Sequence, residues 1–375
     1  MTLTDDQRML ADTIAPFMAE EGAIRTQLRH WRDIGCKDGF GHGLWKQLAE
    51  LGLTGILIPE AQGGAGLGQL EAGVVLEEIG RNLTPSPFLM TSVTAVRALE
   101  GSAQAERWFP GIVSGDTVAA LAIDEGRHHD PAAITLEAKR SGNGFSLGGS
   151  KQFVVQGASA DVILVAARTA GSSGETDGLT LFAVDRDAKG LSIDNVALAD
   201  SSKAARLMLD KVEVDADAVV GEVDNGWAPL SRALNAGRAG AASELVGVAA
   251  GASEMTFEYL KQRKQFGRLI GEYQSLQHRA AHLYGEIEIA RAAALKAAQL
   301  LDAGDPRAEL LVSVAKAKAA RTSALAVQEG VQMHGGIGMT DEHDIGLYMK
   351  REAVLSELFG GPRFHAARVA ELSGY

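Results

Sequence analysis

The strongest constraint on this chain is a change in hydrophobic periodicity that occurs twice along its 375 residues. Residues 1–115 show helical spacing of apolar side chains, as at Leu10, Ile14 and Phe17. From 116 to 226, short apolar runs alternate with turn residues, which is typical of an all-β sandwich or barrel. From 227 to 375, long Ala-rich segments uninterrupted by proline predict a helix bundle. We therefore predict an α+β fold with three domains, 1–115, 116–226 and 227–375.

Composition excludes several classes of protein. Hydrophobic residues make up 46% and charged residues 22%, which is typical of a globular chain rather than a disordered one. The chain has 36 Lys and Arg against 48 Asp and Glu, and a formal net charge of −12 disfavours binding to nucleic acid or to an anionic membrane. The single cysteine, Cys36, excludes an intrachain disulfide. The acidic start without a signal-peptide pattern, and the absence of a long apolar stretch, predict a cytoplasmic protein with no membrane partner.

Common cofactor and metal motifs are weak or missing. The glycine run Gly63–Gly68 does not have the spacing of a dinucleotide-binding loop. His128–Asp130 lacks a third ligand at metal-binding spacing, so a solvated loop is the favoured interpretation and no metal is expected. Cys36 has no activating base nearby in sequence, which favours a cysteine without a catalytic role.

Four segments carry a resemblance to a known family. They are Gly55–Glu60, Glu77–Arg81, Arg263–His278 and Val331–Thr340. In this order, and over essentially the whole chain, they closely resemble the acyl-CoA dehydrogenase family. The resemblance implies an N-terminal helical domain, a middle β-sandwich or barrel domain and a C-terminal four-helix bundle. It also implies FAD between the β-domain and the bundle, with the ADP half of FAD crossing into a neighbouring subunit.

The resemblance implies a set of FAD contacts. Arg263 would face the pyrophosphate of the mate subunit's FAD, because a planar guanidinium binds two phosphate oxygens at once. The alternative is that Arg263 only offsets the dipole at a helix C-terminus. The family's Trp-Ile-Thr run is Phe153-Val154-Val155 here, so a hydroxyl near the flavin is lost. The expected contacts are Arg263, Gln265, Phe266, Gln274, Gln332, Gly335, Gly336, Ile123, Asp124, Phe153 and Val155.

The catalytic base of the family has no counterpart at either of its usual positions. The family removes an α-proton from an acyl-CoA thioester with a glutamate while a hydride passes to the flavin. The matching positions here are Gly360 and Gly237, and glycine cannot accept a proton. Arg238 would support the active site, with a surface arginine as the alternative. Glu244 is a weak candidate base, with a buried or interface-paired glutamate as the alternative, and Asp124 is weaker still.

This pattern resembles the small subunits of two-component acyl-CoA dehydrogenases, the type seen in dicarboxylic-acid and steroid side-chain catabolism. The resemblance implies an acyl-CoA substrate, an electron-transfer flavoprotein as electron acceptor, and a homo-oligomer or a heterotetramer with a second chain of the same fold. Three alternatives stay open: a homo-oligomeric flavoenzyme with an unusual base, a flavin monooxygenase or oxidase of the same fold, and a non-enzymatic partner subunit.

Overall fold

The computed structural model describes residues 3–375, so Met1 and Thr2 of the predicted N-terminal domain lie outside the described residues. The chain separates into two compact units, each built from stretches that are distant in sequence. The first unit contains residues 3–30, 69–85 and 238–375, and the second contains 31–68 and 86–237. The boundaries at 115 and 226 stay a prediction.

Helices dominate both ends of the chain, as the periodicity predicts. The α-helices in residues 3–375 are α1 (Asp5–Glu20), α2 (His30–Asp33), α3 (His42–Glu50), α4 (Gln69–Arg81), α5 (Val96–Leu99), α6 (Ala103–Val113), α7 (Trp227–Gln262), α8 (Gln274–Asp302), α9 (Ala308–His334), α10 (Ile345–Glu357) and α11 (Pro362–Leu372). Two π-helical segments, Arg25–Arg29 and Leu89–Ala95, precede α2 and α5.

Local sequence signals explain where several helices begin. At α1, the Thr4 hydroxyl accepts from the Gln7 amide at 3.2 Å, and the Gln7 side chain accepts from the Thr4 amide at 2.9 Å. This reciprocal pair is the capping box that the sequence contains. At α4, the carboxylate of Asp302 accepts from the amides of Gln69 and Leu70, at 2.6 and 3.1 Å. The last residue of α8 therefore caps the first turn of α4.

Glycines allow α4 and α7 to cross at very short range in the first unit. A Cβ at Gly80 would lie 2.1 Å from the Glu244 carbonyl oxygen, and one at Gly247 would lie 1.9 Å from the Glu77 carbonyl oxygen. Because real Cβ atoms do not approach an oxygen so closely, only glycine permits this crossing.

Residues 119–220 form one mixed sheet of eight strands within the described chain. The strands are β1 (Ala119–Ala122), β2 (Glu137–Ser141), β3 (Gly144–Val155), β4 (Val162–Arg168), β5 (Leu179–Asp185), β6 (Leu191–Ala197), β7 (Lys203–Val214) and β8 (Val219–Val220). Their order is β6-β7-β3-β2-β4-β5-β8, and β1 pairs in parallel with β4. The core strands β4 and β5 are buried almost throughout.

Three strands of the sheet, β6, β7 and the two-residue β8, were not singled out by the sequence pattern. In β6 and β7, charged or polar residues alternate with apolar ones, and one face of each strand is exposed. The charged and polar residues interrupt the apolar runs by which the other strands were recognised.

A small hairpin, β9 (Lys264–Gln265) with β10 (Arg268–Leu269), follows α7 in the first unit. No helix within residues 3–375 is both long and apolar enough to span a bilayer.

Candidate functional site

The end of β1 and an irregularity in β3 bring two predicted cofactor segments together in the second unit. The amide of Gln152 donates to the Asp124 carbonyl at 2.7 Å, and Lys151 Nζ donates to the Ile123 carbonyl at 2.9 Å. Phe153 follows directly in sequence, so the structure joins the segments that carry Ile123, Asp124 and Phe153.

Phe153 is held on the surface by its backbone. The register between β3 and β7 shifts between Lys151 and Val154, and Phe153 has φ +54° there. Its side chain is 55% exposed, whereas Val154 points into the core and Val155 is half-buried. A bulky residue at positive φ is a backbone outlier, and such outliers cluster at functional sites. An exposed aromatic ring beside the β1 end is therefore a defined feature of this sheet.

A buried ion pair supports the same corner of the sheet. Lys151 is fully buried, and its Nζ lies 2.7 Å from Glu125 Oε1. Burial lowers the pKa of Lys151 to about 8, although the negative charge of Glu125 acts to raise it. Burial alone would raise the pKa of Glu125, but Lys151 and the amide and hydroxyl donors of Thr135 and Leu136 hold it below its usual value. Glu125 thereby fastens the loop after β1 to the start of β2.

The side chain of Asp124 accepts a hydrogen bond from a residue of the same loop. Both of its carboxylate oxygens lie 3.0 Å from His129 Nδ1, so the imidazole donates to the carboxylate. Asp124 therefore orients His129, while His128 is exposed to solvent. Among residues 3–375, no cluster of three or more His, Cys, Asp or Glu side chains is arranged to hold a metal ion.

The second candidate region is the turn between α10 and α11 in the first unit. Arg238 Nε donates to the Phe359 carbonyl at 3.3 Å, and the guanidinium lies 5.3 Å from the centre of the Phe364 ring. Gly360 donates its own amide to the Glu357 carbonyl at 3.1 Å. Arg238 is thus a buried residue that contacts this turn, rather than the surface arginine of the alternative interpretation.

Gly360 has a conformation that excludes a side chain. Its φ is +106°, and a Cβ built on it would lie 2.4 Å from Cδ1 of Phe364. A residue with a side chain here needs both a different backbone and a displaced Phe364 ring. Gly237 lies inside α7, one residue before Arg238.

A fully buried lysine holds the other side of this turn. Lys316 on α9 donates to the carbonyls of Leu355, Ser356 and Gly360, at 3.2, 2.8 and 3.4 Å. It therefore satisfies the carbonyls that the end of α10 leaves without helical partners. Burial lowers the pKa of Lys316 to about 7; nearby Glu357 opposes this shift and Arg238 adds to it.

Glu244, the weak candidate for a base, is 2% exposed and accepts hydrogen bonds from Arg351. The Arg351 Nε lies 2.9 Å from Glu244 Oε1. An arginine that binds a carboxylate in this way stabilises its ionised form and occupies its lone pairs. This geometry favours the alternative of a buried, paired glutamate.

The expected FAD contacts of the first unit lie on its surface. Arg263 directly follows the last residue of α7, and Gln265 and Phe266 belong to the β9–β10 hairpin. Phe266 is 93% exposed at the tip of the hairpin, where it and Gly267 have φ of +55° and +84°. The remaining exposed contacts are Gln274, Gln332, Gly335 and Gly336.

Sequence reasoning missed three buried side chains and one half-buried side chain around these segments. They are the buried Lys151, Lys316 and His334 and the half-buried His343, and nothing in the local pattern distinguishes them from exposed residues. For Lys316 the one available signal is a lysine inside the Ala-rich stretch Val312–Ala320, and Lys318 in the same stretch makes that signal weak.

Comparison with known proteins identifies the family. The models of the acyl-CoA dehydrogenase N-terminal, middle and C-terminal domains match residues 4–116, 121–212 and 224–371. A cyclohex-1-ene-1-carbonyl-CoA dehydrogenase of Syntrophus aciditrophicus (strain SB) is 32% identical over 372 residues, covering 96% of this chain and 87% of that protein. The chain therefore belongs to the acyl-CoA dehydrogenase family, whose members are FAD-dependent oxidoreductases.

Solved structures agree with this assignment and include heteromeric assemblies. A variant of the Tcur3481-Tcur3483 steroid acyl-CoA dehydrogenase matches with a TM-score of 0.89 and 32% identity, covering 99% of this chain and 98% of that one. The ChsE4-ChsE5 complex from Mycobacterium tuberculosis matches with a TM-score of 0.89 and 27% identity, covering 100% and 99%. The predicted family and fold class are confirmed. The roles of individual site residues stay predictions.

Proposed function

We propose that this chain is a subunit of an FAD-dependent acyl-CoA dehydrogenase, and that it lacks the usual catalytic glutamate and works with a partner chain of the same fold. The turn at Gly360 is the observation that carries the proposal. Its φ of +106° and the Phe364 ring leave no room for a side chain at the position that matches the family's base.

The residues expected to hold FAD fit a flavin. Gly335 and Gly336 have open space around the direction of a Cβ, with no described atom within 4 Å, so a cofactor can approach the backbone closely. The exposed ring of Phe153 offers an apolar face beside the β1 end, where the isoalloxazine is expected. Bound FAD would accept the hydride from the substrate β-carbon.

Exposure of the hairpin supports the requirement for a partner. Arg263, Gln265 and Phe266 contribute little to the burial of their own chain. A surface aromatic of this size is more readily explained as a contact with another subunit or its cofactor than as a feature of a monomer. The named complexes among the similar structures, steroid Tcur3481-Tcur3483 and ChsE4-ChsE5, support a heteromeric assembly and an acyl-CoA substrate for this chain.

In this proposal, side chains of this chain hold the α10–α11 turn in place, but the turn carries no group that accepts the α-proton. Arg238 and Lys316 hold the carbonyls of Phe359 and Gly360, which fixes the turn from two sides. General-base catalysis typically contributes about 10²–10⁴-fold, so a chain without a base is slow on its own.

The test is to measure flavin per polypeptide and turnover of saturated acyl-CoA for the chain alone and for the chain co-expressed with candidate partners of the same fold. We expect little turnover alone, and flavin-dependent turnover with the correct partner. Fast turnover by the purified chain alone contradicts the loss of the base and supports a homo-oligomeric flavoenzyme with an unusual base. A chain that stays colourless and inactive with every partner of this fold contradicts the flavoenzyme assignment.

A further inference from the structure

Three aromatic rings lie in tilted contact at the end of α9 in the first unit. Tyr259 of α7 and His334 have ring centroids 4.5 Å apart, and His334 and His343 have centroids 4.3 Å apart. His334 is the last residue of α9, and His343 lies two residues before α10. The contact between the two imidazoles therefore closes the loop 335–342, which contains the expected cofactor contacts Gly335 and Gly336.

Hydrogen bonds fix the tautomer that each imidazole adopts when it is neutral. His334 Nδ1 lies 2.7 Å from the Gly330 carbonyl oxygen and must donate to it, because a carbonyl can only accept. His343 Nδ1 accepts from the Ile345 amide at 3.2 Å, so its proton is on Nε2. His334 is 4% exposed, and its Nε2 has no hydrogen-bond partner among residues 3–375. This ring therefore presents an unpaired acceptor inside this contact.

Few charges face the pair. Tyr259 contacts His334 from α7, and His343 is the titratable neighbour of His334. Asp344 and Arg29 face His343 with opposite signs. Arg29 donates from Nε to the Asp344 carboxylate at 2.8 Å, so much of the charge of Asp344 is already compensated. A proton added to the imidazole pair thus gains little from its surroundings.

We propose that His334 and His343 are positioning residues for the flavin segment: their neutral rings, in contact with each other, hold the loop 335–342 in its binding conformation, and protonation releases it. This inference rests on the proposed FAD site. Two adjacent imidazoles cannot both take up a proton without repulsion between like charges.

The direction of the pH effect follows from the burial of His334 and the partial burial of His343. Burial lowers the pKa of His334 and of His343 below the ordinary value of about 6.5. The released loop, with exposed histidines, binds protons more readily than the closed one as the pH falls below about 6.5. Each histidine that stays unprotonated in the closed loop shifts the equilibrium toward the released loop by at most about five- to sixfold between pH 6.5 and pH 5.5, so affinity for FAD should fall over this range.

Two measurements on the purified protein, with its partner where assembly requires it, test this inference. The first is the FAD dissociation constant at pH 7.5, 6.5 and 5.5. The second is hydrogen exchange of the amides in 335–344 at the same pH values, corrected for the intrinsic rate. The variant His343→Gln keeps a polar side chain without the titration, and His42→Gln replaces an exposed histidine of the second unit as the control.

We expect exchange in 335–344 to rise and FAD affinity to fall at acid pH in the wild type and in His42→Gln, and both changes to flatten in His343→Gln. A pH dependence that is identical in His343→Gln and wild type overturns the inference. Because hydrogen exchange does not require flavin, acid-dependent opening in a protein that binds no FAD at any pH supports the two-histidine contact and contradicts only the proposed function.

Discussion

At the scale of single residues, the conformation of Gly360 supports the proposed loss of the catalytic base. Gly360→Glu should fail to create a dehydrogenase that works alone, because the new side chain meets the Phe364 ring and the backbone has φ +106°. We expect a loss of stability of about 1–3 kcal/mol and no gain in turnover of saturated acyl-CoA. Urea unfolding and an electron-acceptor dye assay measure the two effects.

The double variant Gly360→Glu with Phe364→Ala is the comparison for this prediction. It removes the ring that blocks the new side chain, so the backbone strain alone remains. Turnover in Gly360→Glu at the level of a glutamate-containing family member contradicts the prediction, because it means that the turn rearranges readily.

Lys316 makes a prediction about pH. Its pKa is about 7 in the folded protein, because burial disfavours the charge, and about 10.4 in the unfolded chain. Between these values the unfolded chain binds more protons, so the contribution of Lys316 to the free energy of unfolding rises with pH. We expect wild type to gain stability relative to Lys316→Met from pH 6.5 to pH 9, by guanidinium unfolding at both pH values. Parallel pH profiles for the two proteins contradict a buried, depressed lysine.

Some of these residues could be singled out from the sequence because they match positions of the family's motifs. The family resemblance pointed to Arg238 and Phe153, and the structure shows a buried arginine at the α10–α11 turn and an exposed ring beside β1. It did not point to Lys316, because a lysine within a helix is more often solvated than buried. Burial depends on α10 and α11, which pack against α9 from distant positions in the chain.

At the scale of elements, the α4–α7 crossing depends on glycine. Gly247→Ala places a Cβ 1.9 Å from the Glu77 carbonyl oxygen, so the two helices must separate. We expect a loss of about 1–3 kcal/mol in the free energy of unfolding, measured with urea.

Gly285→Ala on α8 is the matched control. It has the same chemical change in a helix interior, but no described atom lies within 4 Å of the added Cβ. It should stabilise the protein by about 0.5–1 kcal/mol, because alanine is the better helix former. A Gly247→Ala variant as stable as this control contradicts the close crossing.

Long elements were easier to predict than weakly apolar ones. The Ala-rich segments 239–263, 273–301 and 306–333 predict three long helices, and they form α7, α8 and α9 with ends within a few residues of these bounds, except that α7 begins earlier, at Trp227. The strands β6 and β7 were not singled out, because exposure of one face replaces apolar residues with charged ones. Their place in the sheet comes from pairing with each other and with β3, which the local pattern does not encode.

At the scale of the whole molecule, the hairpin after α7 is predicted to act outside its own chain. Phe266→Ser should change the free energy of unfolding by less than about 0.5 kcal/mol, because the ring is 93% exposed. It should lower the flavin content and the assembled fraction, measured by absorbance and native mass. Met208→Ser, at another exposed apolar residue, should alter neither. Lowered stability without a change in assembly contradicts the prediction.

The order of helical, β and helical segments could be predicted from the sequence, because the spacing of apolar residues that is typical of each structure recurs over many residues. The division into two units was not visible, since 69–85 joins 238–375 across the intervening sheet sequence.

The turn at Gly360 also has an evolutionary consequence. A mutation that restored glutamate at this position would force its side chain into a backbone conformation suited to glycine and against a phenylalanine ring. The protein would therefore lose stability before it gained a new activity. Under the proposed function, the loss of the base is therefore difficult to reverse by a single substitution. Reversal needs at least two substitutions together, which ties the history of this chain to that of the partner that supplies the missing proton acceptor.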